Sequence, residues 1–518
     1  MSLLRLAFVS FLLILVFNNA RLTSASDEDE AVGPKLYPAN GATLVNPDVK
    51  LRLTFNEPPK IGTSGKIKVF DAADDRLVDE LDMRIPPGPT KPVDPAVRAK
   101  DYIKSPYQYA RSRRATNRDT KPGTGSGGAT NTTDEYQLTI IGGFTDGFHF
   151  YPVTVDGNTA TIHPHHDKLE YGKSYYVQID AGVLNASEFP GIKGKGWRFS
   201  TKPHDRATKP NSSDLTVAAD GSGDFDTVQG AMDFVPDNGK KRVTVRVKNG
   251  IYEEIVYFRN KANVTIVGES RDKTILRYYN NEVFNPHPAN IRTNPDRGTF
   301  PSRRAAFMVD NSNDIHLVNL TIQTTARGQA EGLLVNGERN ILSNVSIIGS
   351  GDALQANGSI YMVDSSIDGH GDTILGRGSL FCERCTLRST QVFMWPRNPK
   401  GVHGNVFKDS TFISVGGSYT IARSPKNGES TYPFAEVILL NSTLVNVAPE
   451  GWGAADLGGN VRFWEFNSKD NEGKPIDVSQ RVAWSRQLDR VKDAKIIEDY
   501  SRPEFVLGGW KPKLVVRK

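Results

Sequence analysis

The sequence contains little cysteine, since only Cys382 and Cys385 occur among its 518 residues. A disulfide scaffold is therefore excluded, and so is a zinc ribbon, because it needs a second cysteine pair. Amphipathic helical stretches are scarce between residues 300 and 450, which argues against a helical repeat there. The Gly-x-Ser-x-Gly elbow of many serine esterases is also absent.

Long hydrophobic runs are absent as well, apart from the apolar segment of residues 6–17. This segment is shorter than the roughly 20 residues that span a bilayer, so a membrane anchor is the weaker interpretation. Arg5 precedes it and small residues surround Ala25, a pattern typical of a secretory signal peptide over residues 1–25. We therefore expect a secreted protein, extracellular or in a cell wall, with no membrane association after signal cleavage.

Export would also permit glycosylation if the host is a eukaryote. Eight Asn-x-Ser/Thr sequons occur, at Asn131, Asn185, Asn211, Asn263, Asn319, Asn344, Asn357 and Asn441. Asn319, Asn344 and Asn441 also fit the register of an internal repeat, which explains them without glycans.

The net charge of +5 and the pI near 8.9 suit an anionic partner. Because the Lys and Arg residues are dispersed in an exported chain, an acidic polysaccharide is favoured over nucleic acid. We expect a monomer with no nucleic-acid partner.

A short unit recurs in the second half of the chain, a small polar pair followed by an aliphatic or aromatic residue. It occupies residues 319–322, 344–347, 364–367, 384–387, 409–412 and 441–444. The last residues of these units are 25, 20, 20, 25 and 32 positions apart, which predicts a parallel β-helix. Leucine-rich repeats share the period, but their fixed Leu spacing is missing. Asp352 and Asp372, 20 positions apart, are then expected to stack on one face.

The residues before the repeat predict a smaller unit. Alternating segments at 50–55, 66–70, 160–162 and 175–179 indicate an antiparallel β-sandwich over residues 34–203. It resembles bacterial-type Ig-like modules at its opening, 38–42, and its close, 197–201. Residues 86–135 predict a flexible basic loop, or an arm that grips an acidic polymer, and residues 204–213 a linker. His163, His165 and His166 are expected in a turn rather than a metal site.

Residues 214–510 carry motifs that resemble the pectin methylesterases, or pectinesterases. The motifs are the opening strand and cap at 217–229, Gly-x-Tyr-x-Glu at 250–254, a Gln-Ala-Val-Ala-Leu relative at 329–333, two aspartate motifs at 351–354 and 371–376, a Leu-Gly-Arg-Pro-Trp relative at 421–425, and the closing segments 449–452 and 481–484. The resemblance implies a right-handed parallel β-helix for these residues. With the small antiparallel β-sandwich predicted to precede it, the expected fold is all-β.

The resemblance also implies catalytic roles. Asp372 would be the nucleophile, Arg423 would keep it ionised, Asp352 would be the general acid and base, and Gln329 would donate to the oxyanion. Ester hydrolysis without a serine triad needs such groups, and two carboxylates can divide the work if their pKa values are pulled apart. No metal or other cofactor is expected.

This chain departs from the family pattern near the two aspartates. Gly351 replaces a glutamine, so a second oxyanion donor is missing, and Gln355 or a backbone N–H is a candidate substitute. The tryptophan of Leu-Gly-Arg-Pro-Trp has no counterpart. Trp395 and Trp452 are candidate sugar-stacking residues, although burial in the coil wall is an open alternative for both. Arg377 is a candidate contact for a substrate carboxylate.

Two further departures concern packing. Cys385 matches a family cysteine whose partner position is Ser365, so Cys382 and Cys385 are expected in the core. The Asn- and Pro-rich insertion at 278–302 is a candidate cleft wall.

The predicted function is hydrolysis of galacturonate methyl esters in methyl-esterified pectin, with release of methanol. Alternatives are a pectin-binding protein with weak or lost catalysis, because of Gly351, and an esterase for another ester. A polysaccharide lyase is disfavoured because it needs a larger carboxylate cluster for Ca2+.

Overall fold

The computed structural model describes residues 33–88, 136–141, 147–204, 210–282, 284–285, 303–427, 429–453, 457 and 459–514. The predicted signal peptide lies outside these residues, as do most of the predicted loop 86–135, the middle of the linker and most of the insertion at 278–302. Within the described ranges, no helix has the length and apolarity needed to cross a bilayer.

The N-terminal unit is a mainly antiparallel β-structure, with one parallel pair between residues 42–45 and 198–201. Its strands are β1 (Lys35–Tyr37), β2 (Ala42–Val45), β3 (Leu51–Thr54), β4 (Lys60–Ile61), β5 (Lys66–Asp71), β6 (Leu77–Asp82), β7 (Leu138–Ile140), β8 (Gly147–His149), β9 (Val153–Asp156), β10 (Thr159–Ile162), β11 (Ser174–Ile179), β12 (Leu184–Asn185) and β13 (Arg198–Thr201). One sheet has the order β1-β3-β10-β9 and the other β2-β13-β11-β5-β6. Alternating residues of both sheets, such as Leu51, Leu53, Val69 and Val177, share one buried core. The finer prediction of an Ig-like module stays a prediction.

The second unit is built from short strands, and the described strand pairs are parallel except for one antiparallel pair at residues 426–427 and 430–431. They are β14 (Asp214–Val217), β15 (Val243–Val247), β16 (Gly250–Glu253), β17 (Val256–Arg259), β18 (Ala262–Gly268), β19 (Thr274–Tyr278), β20 (Phe307–Asp310), β21 (Asn313–Val318), β22 (Thr321–Thr324), β23 (Leu333–Val335), β24 (Asn340–Ser343), β25 (Ser346–Ile348), β26 (Leu354–Ala356), β27 (Ser359–Val363), β28 (Ser366–Gly369), β29 (Ile374–Gly376), β30 (Ser379–Glu383), β31 (Thr386–Ser389), β32 (Met394–Pro396), β33 (Asn405–Lys408), β34 (Thr411–Ser414), β35 (Lys426–Asn427), β36 (Ser430–Thr431), β37 (Glu436–Leu440), β38 (Thr443–Val445), β39 (Arg462–Phe466) and β40 (Arg486–Gln487). Three short helices accompany them in the described residues, α1 (Val228–Phe234), α2 (Ala494–Tyr500) and α3 (Pro503–Val506).

Successive strands pass in turn to three long parallel sheets. The first runs β14-β15-β18-β21-β24-β27-β30-β33-β37-β39-β40, the second β16-β19-β22-β25-β28-β31-β34-β38, and the third β17-β20-β23-β26-β29-β32. From β15 to β34 every third strand pairs with its counterpart one coil away, which confirms the predicted parallel β-helix. Stacked aliphatic side chains such as Ile347, Ile367 and Leu387 fill its interior. Cys382 and Cys385 are free thiols buried in this core, as predicted.

The repeated unit of the sequence is the corner between the first and second sheets. Asn319, Asn344 and Asn441 have positive φ angles of 58°, 54° and 54°, a conformation that Asn adopts more readily than most residues. Their side chains also join successive coils, since Asn344 Nδ2 donates to Asn319 Oδ1 at 2.7 Å. The corner geometry thus explains why Asn and Asp recur at this spacing.

Helix α1 covers the open end of the first coil, as the sequence predicts for residues 227–234, and Thr227 is its N-cap. The N-terminal unit packs against the same end. Asp48 Oδ2 accepts hydrogen bonds from the backbone N–H groups of Asp226 and Thr227, at 3.0 and 2.8 Å. His166 Nε2 lies 2.5 Å from Asp233 Oδ2 on α1. The N-terminal unit therefore contacts the β-helix through partly buried polar groups.

Candidate active site

The two sequence-predicted aspartates lie in the turns that lead into the third sheet. Leu354 of β26 pairs with Ile374 of β29, so the residues two positions earlier, Asp352 and Asp372, occupy equivalent places one coil apart. The backbone N–H of Asp352 donates to the carbonyl of Gly371 at 3.1 Å, which joins the two turns directly. The parallel register thus brings the predicted pair together.

Both aspartates have left-handed backbone conformations, with φ of 38° for Asp352 and 42° for Asp372. Such conformations cost free energy for a residue with a Cβ and persist only where the surrounding structure imposes them. Here the sheet on one side of each turn and the neighbouring coils fix the backbone. Both carboxylates are therefore held at the edge of one cleft.

This cleft has a volume of about 640 Å3. Its walls include Gln329, Asp352, His370, Asp372, Gln391 and Arg423. The four residues that the sequence predicts to be catalytic are thus brought to a single cavity. They come from four different coils, up to 94 positions apart from Gln329 to Arg423.

Asp372 is paired with Arg423. Arg423 Nη1 donates to Asp372 Oδ2 at 2.9 Å, and the Asp372 side chain is 18% exposed. Burial raises the pKa of Asp372 above its ordinary value, and the Arg423 guanidinium opposes that rise. The arginine thereby favours the ionised form that a nucleophile needs.

Asp352 is paired with an arginine that the sequence reasoning missed. Arg304 Nη2 donates to Asp352 Oδ2 at 2.9 Å, and Arg304 Nε donates to Glu331 Oε1 at 2.6 Å. Burial raises the pKa of Asp352 to about 7, Arg304 opposes the rise, and the charges of Glu331 and Asp372 add to it. Of the two aspartates, Asp352 is therefore the one suited to carry a proton near neutral pH.

Glu331 belongs to the same column as the two aspartates. Leu333 of β23 pairs with Leu354 of β26, so Glu331, two residues before Leu333, is in register with Asp352. Its separation of 21 positions from Asp352 is the signal that could have revealed it. The sequence gives no such signal for Arg304, because this residue lies three positions before β20 and outside the positions that repeat with the coil period.

Gln329 is exposed at the cleft, and its side-chain Oε1 accepts a hydrogen bond from Arg304 Nη1. Gly351 adopts a positive φ of 63°, and a Cβ there would lie 2.7 Å from the carbonyl oxygen of Gly328. This backbone therefore has no room for a side chain at position 351. The missing glutamine is part of a local change in the turn, not a simple truncation of one side chain.

The candidate substrate-binding residues have different surroundings. Trp395 is half-buried, with the guanidinium carbons of Arg397 and Arg423 at 4.7 and 4.6 Å from its ring centroid. Arg377 is exposed, and Gln355 is buried at 7% exposure on β26. Gln355 pairs in register with Leu375, which in turn pairs with Trp395, so these three share the outer face of the third sheet.

Trp452 is placed differently from the prediction. It is 0% exposed and packs on Phe463, with ring centroids 5.2 Å apart. A ring enclosed in the coil wall cannot stack on a sugar, so the predicted substrate-binding role of Trp452 is wrong. The alternative interpretation, a core tryptophan, is correct.

These features of the fold and the site define a class of protein. It is a parallel β-helix with a cleft on its side, in which two carboxylates with unlike surroundings are each held by an arginine. Such a pair can combine a nucleophile with a proton donor.

Comparison with known families agrees with this class. The family model described as Pectinesterase matches residues 214–509, which is more than half of the chain. The chain belongs to the pectinesterase family, a family of carboxylic ester hydrolases, and the predicted family and enzyme class are confirmed.

Among curated relatives, Pectinesterase 31 of Arabidopsis thaliana is 29% identical over 292 residues, which cover 53% of this chain and 87% of that protein. Probable pectinesterase 30 of the same organism is 26% identical over 307 residues, covering 56% of this chain and 59% of that protein. The chain thus spans little more than half the length of the second relative.

Solved structures include a pectin methylesterase from carrot, with a TM-score of 0.47 and 21% identity, covering 58% of this chain and 94% of that chain. A pectin methylesterase in complex with a hexasaccharide has a TM-score of 0.45 and 20% identity, covering 59% of this chain and 99% of that chain.

Proposed function

We propose that this protein is a secreted pectin methylesterase, which hydrolyses the methyl esters of galacturonate units in homogalacturonan and releases methanol. The observation that carries the proposal is the pairing of Asp372 with Arg423 in register with Asp352, in a chain of the pectinesterase family. Solved relatives named pectin methylesterases, one with a bound hexasaccharide, agree in name with this substrate class.

The reaction divides into two steps. The ionised carboxylate of Asp372 attacks the ester carbon, and the carbonyl oxygen becomes an oxyanion that accepts a hydrogen bond from the Gln329 amide. Protonated Asp352 gives its proton to the methoxy oxygen as the C–O bond breaks, and methanol leaves an acyl-enzyme. Asp352 then takes a proton from water, whose oxygen attacks the acyl carbon and releases galacturonate and Asp372.

Cationic residues near the cleft suit a polysaccharide substrate that carries carboxylates. Arg377 is exposed, Arg397 lies beside Trp395, and Arg423 lines the cavity. Each turnover adds a negative charge to the polymer, so these arginines and the net charge of +5 favour retention of the product. Secretion, expected from residues 1–25, would bring the enzyme to this substrate.

We expect Trp395→Ala to raise KM for pectin about tenfold, with a smaller change in kcat, because the half-buried ring packs beside Arg423, which lines the cleft. Steady-state methanol release at varied pectin concentration measures both constants. Trp464→Ala is a matched control, because Trp464 also has two arginines near its ring, Arg462 at 5.6 Å and Arg486 at 5.2 Å, but lies on the first sheet. Equal KM values for the two variants would remove Trp395 from the substrate site.

The rate should depend on pH through both aspartates. Asp372 must be ionised to attack, so activity falls as the pH drops through its raised pKa. Asp352 must be protonated to release methanol, so kcat/KM should fall as the pH rises above about 7. Methanol release from pH 4 to 9, corrected for alkaline hydrolysis in enzyme-free samples, gives the profile. A rate that keeps rising to pH 9 would contradict the assigned role of Asp352.

The function itself is tested with the mature protein and highly methylated pectin. Methanol release that tracks the loss of ester groups supports the proposal. Binding of pectin without release would favour a binding protein with lost catalysis, and release of acetate from acetylated pectin without methanol would favour an esterase for another ester. Either of these results would overturn the proposal.

A further inference from the structure

A buried arginine joins the groups on one side of the cleft. Arg304 directs Nε to Glu331, Nη2 to Asp352 and Nη1 to Gln329, and its side chain is only 12% exposed. Glu331 is 0% exposed, and a second acid, Glu282, lies 3.7 Å from Arg304 Nη1. A planar guanidinium can hold several acceptors in a fixed geometry, which a lysine ammonium cannot do.

We propose that Arg304, locked by Glu331, is a positioning residue that orients the Gln329 amide as oxyanion donor and the Asp352 carboxyl as proton donor, so that the site works without a second amide at position 351. This inference rests on the proposed ester hydrolysis and adds the residues that organise it.

The orientation of Gln329 follows from its contact with Arg304. A guanidinium has donors and no acceptor, so the atom that faces Arg304 is the amide oxygen Oε1. The amide nitrogen of Gln329 is then directed away from Arg304, and Gln329 lines the cleft. A donor whose orientation is fixed before the reaction stabilises developing negative charge better than a freely rotating one.

The pairing with Glu331 explains how an arginine can hold a proton donor. An isolated cation at 2.9 Å from Asp352 would favour the ionised carboxylate. The carboxylate of Glu331 lies 2.6 Å from Arg304 Nε and neutralises the guanidinium charge. The ion pair therefore orients Asp352 through a hydrogen bond and exerts little net electrostatic field on its carboxyl group. Asp352 thereby keeps a pKa raised by burial to about 7.

The residue at position 351 also supports the proposed role of Arg304. The family motif has glutamine where this chain has Gly351, and valine where it has Glu331. The backbone at Gly351 leaves only 2.7 Å between a Cβ and Gly328 O, so a side-chain donor cannot be accommodated there. Position 351 and Glu331 thus lie in adjacent coils, and the ion pair of Glu331 with Arg304 contacts two residues that line the cleft, Gln329 and Asp352.

The test compares Arg304→Met with the double variant Arg304→Met/Glu331→Leu. The single change leaves a buried carboxylate without its partner and is expected to lower Tm by several degrees. The double change removes the Arg304–Glu331 ion pair together with its fully buried carboxylate, and leaves only Asp352 and Glu282, which keep some solvent exposure, without Arg304. We expect the double variant to have a higher Tm than the single variant, while its kcat is about 100-fold below that of the wild type and its KM changes less than about threefold. Arg339→Met, in an exposed pair with Asp314, is the control with unchanged constants.

A pH profile supplies a readout that a purely structural role would not move. The charged groups that act on Asp352 are Arg304 and Arg397, which lower its pKa, and Glu331 and Asp372, which raise it. Glu331→Gln removes a raising group and keeps Arg304, so the alkaline limb of kcat/KM should move to lower pH. The double variant removes one group that lowers the pKa of Asp352, Arg304, and one that raises it, Glu331. Its alkaline limb should therefore move less than that of Glu331→Gln, while its kcat should be lower.

The outcomes separate the two proposals. A wild-type protein that releases no methanol overturns the proposed function. An active wild type whose folded double variant keeps kcat within about threefold overturns the role of Arg304 alone, and so does a Glu331→Gln profile that coincides with that of the wild type.

Discussion

Replacement of Asp372 by Asn is expected to abolish methanol release, with kcat lower by on the order of 10^5-fold or more, as when a covalent nucleophile is removed from other hydrolases. The amide has nearly the same shape, and its oxygen can still accept the hydrogen bond that Arg423 now donates at 2.9 Å. The nitrogen cannot form the acyl-enzyme, so the loss would come from chemistry and not from folding. Methanol release and Tm, measured on the same preparation, check both statements.

Asp364→Asn is the matched control for this change. Asp364 also forms an ion pair with an arginine, Arg384, at 2.7 Å, and it also has a positive φ, of 50°. It lies at the corner between the first and second sheets, away from the residues that line the cleft. Unchanged activity is expected. If Asp372→Asn kept a tenth of the wild-type kcat, the nucleophile would have to be sought elsewhere.

Replacement of Asp352 by Asn is expected to lower kcat on methyl esters by about 10^3- to 10^4-fold. Methoxide is a poor leaving group, so its departure needs the proton that Asp352 carries at a pKa of about 7. The alkaline limb of the pH profile should disappear in this variant, because the group responsible for it is gone.

A leaving group that departs without protonation separates the roles of the two aspartates. On a nitrophenyl ester of polygalacturonate, Asp352→Asn should lose much less activity in the first product-release step, whereas Asp372→Asn should stay inactive. Burst kinetics of nitrophenol release measure that step. Equal losses on both esters would argue against Asp352 as the general acid.

The sequence predicts those residues of the site whose positions follow the period of the coils. Asp352 and Asp372 are 20 positions apart in a repeat of the same length, so parallel register alone stacks them. The same argument applies to Glu331, which lies 21 positions before Asp352 and in register with it, although the family motif has valine there. Arg304 could not be reached this way, because it precedes β20 outside the repeated register.

The side-chain direction of Trp452 could not be predicted from the sequence. A tryptophan in a closing turn can face the cleft or the interior, and its sequence surroundings do not distinguish the two. Packing against Phe463 places it inside, whereas Trp395 on β32 stays half-exposed. Side-chain direction in an irregular turn depends on neighbours that are distant in the sequence.

By itself the sequence determined the β-helix, the Asn corners and the column of acids, because these depend on local turn conformation and on a period that repeats along the chain. The tertiary structure decided which charges neutralise each other. It pairs Asp372 with Arg423, and Asp352 with Arg304 and Glu331, and it packs the N-terminal unit against α1 through Asp48. Those pairings depend on the distances between charges in a desolvated cleft, where burial raises the pKa of both aspartates and the charges of Glu331 and Asp372 raise that of Asp352 further.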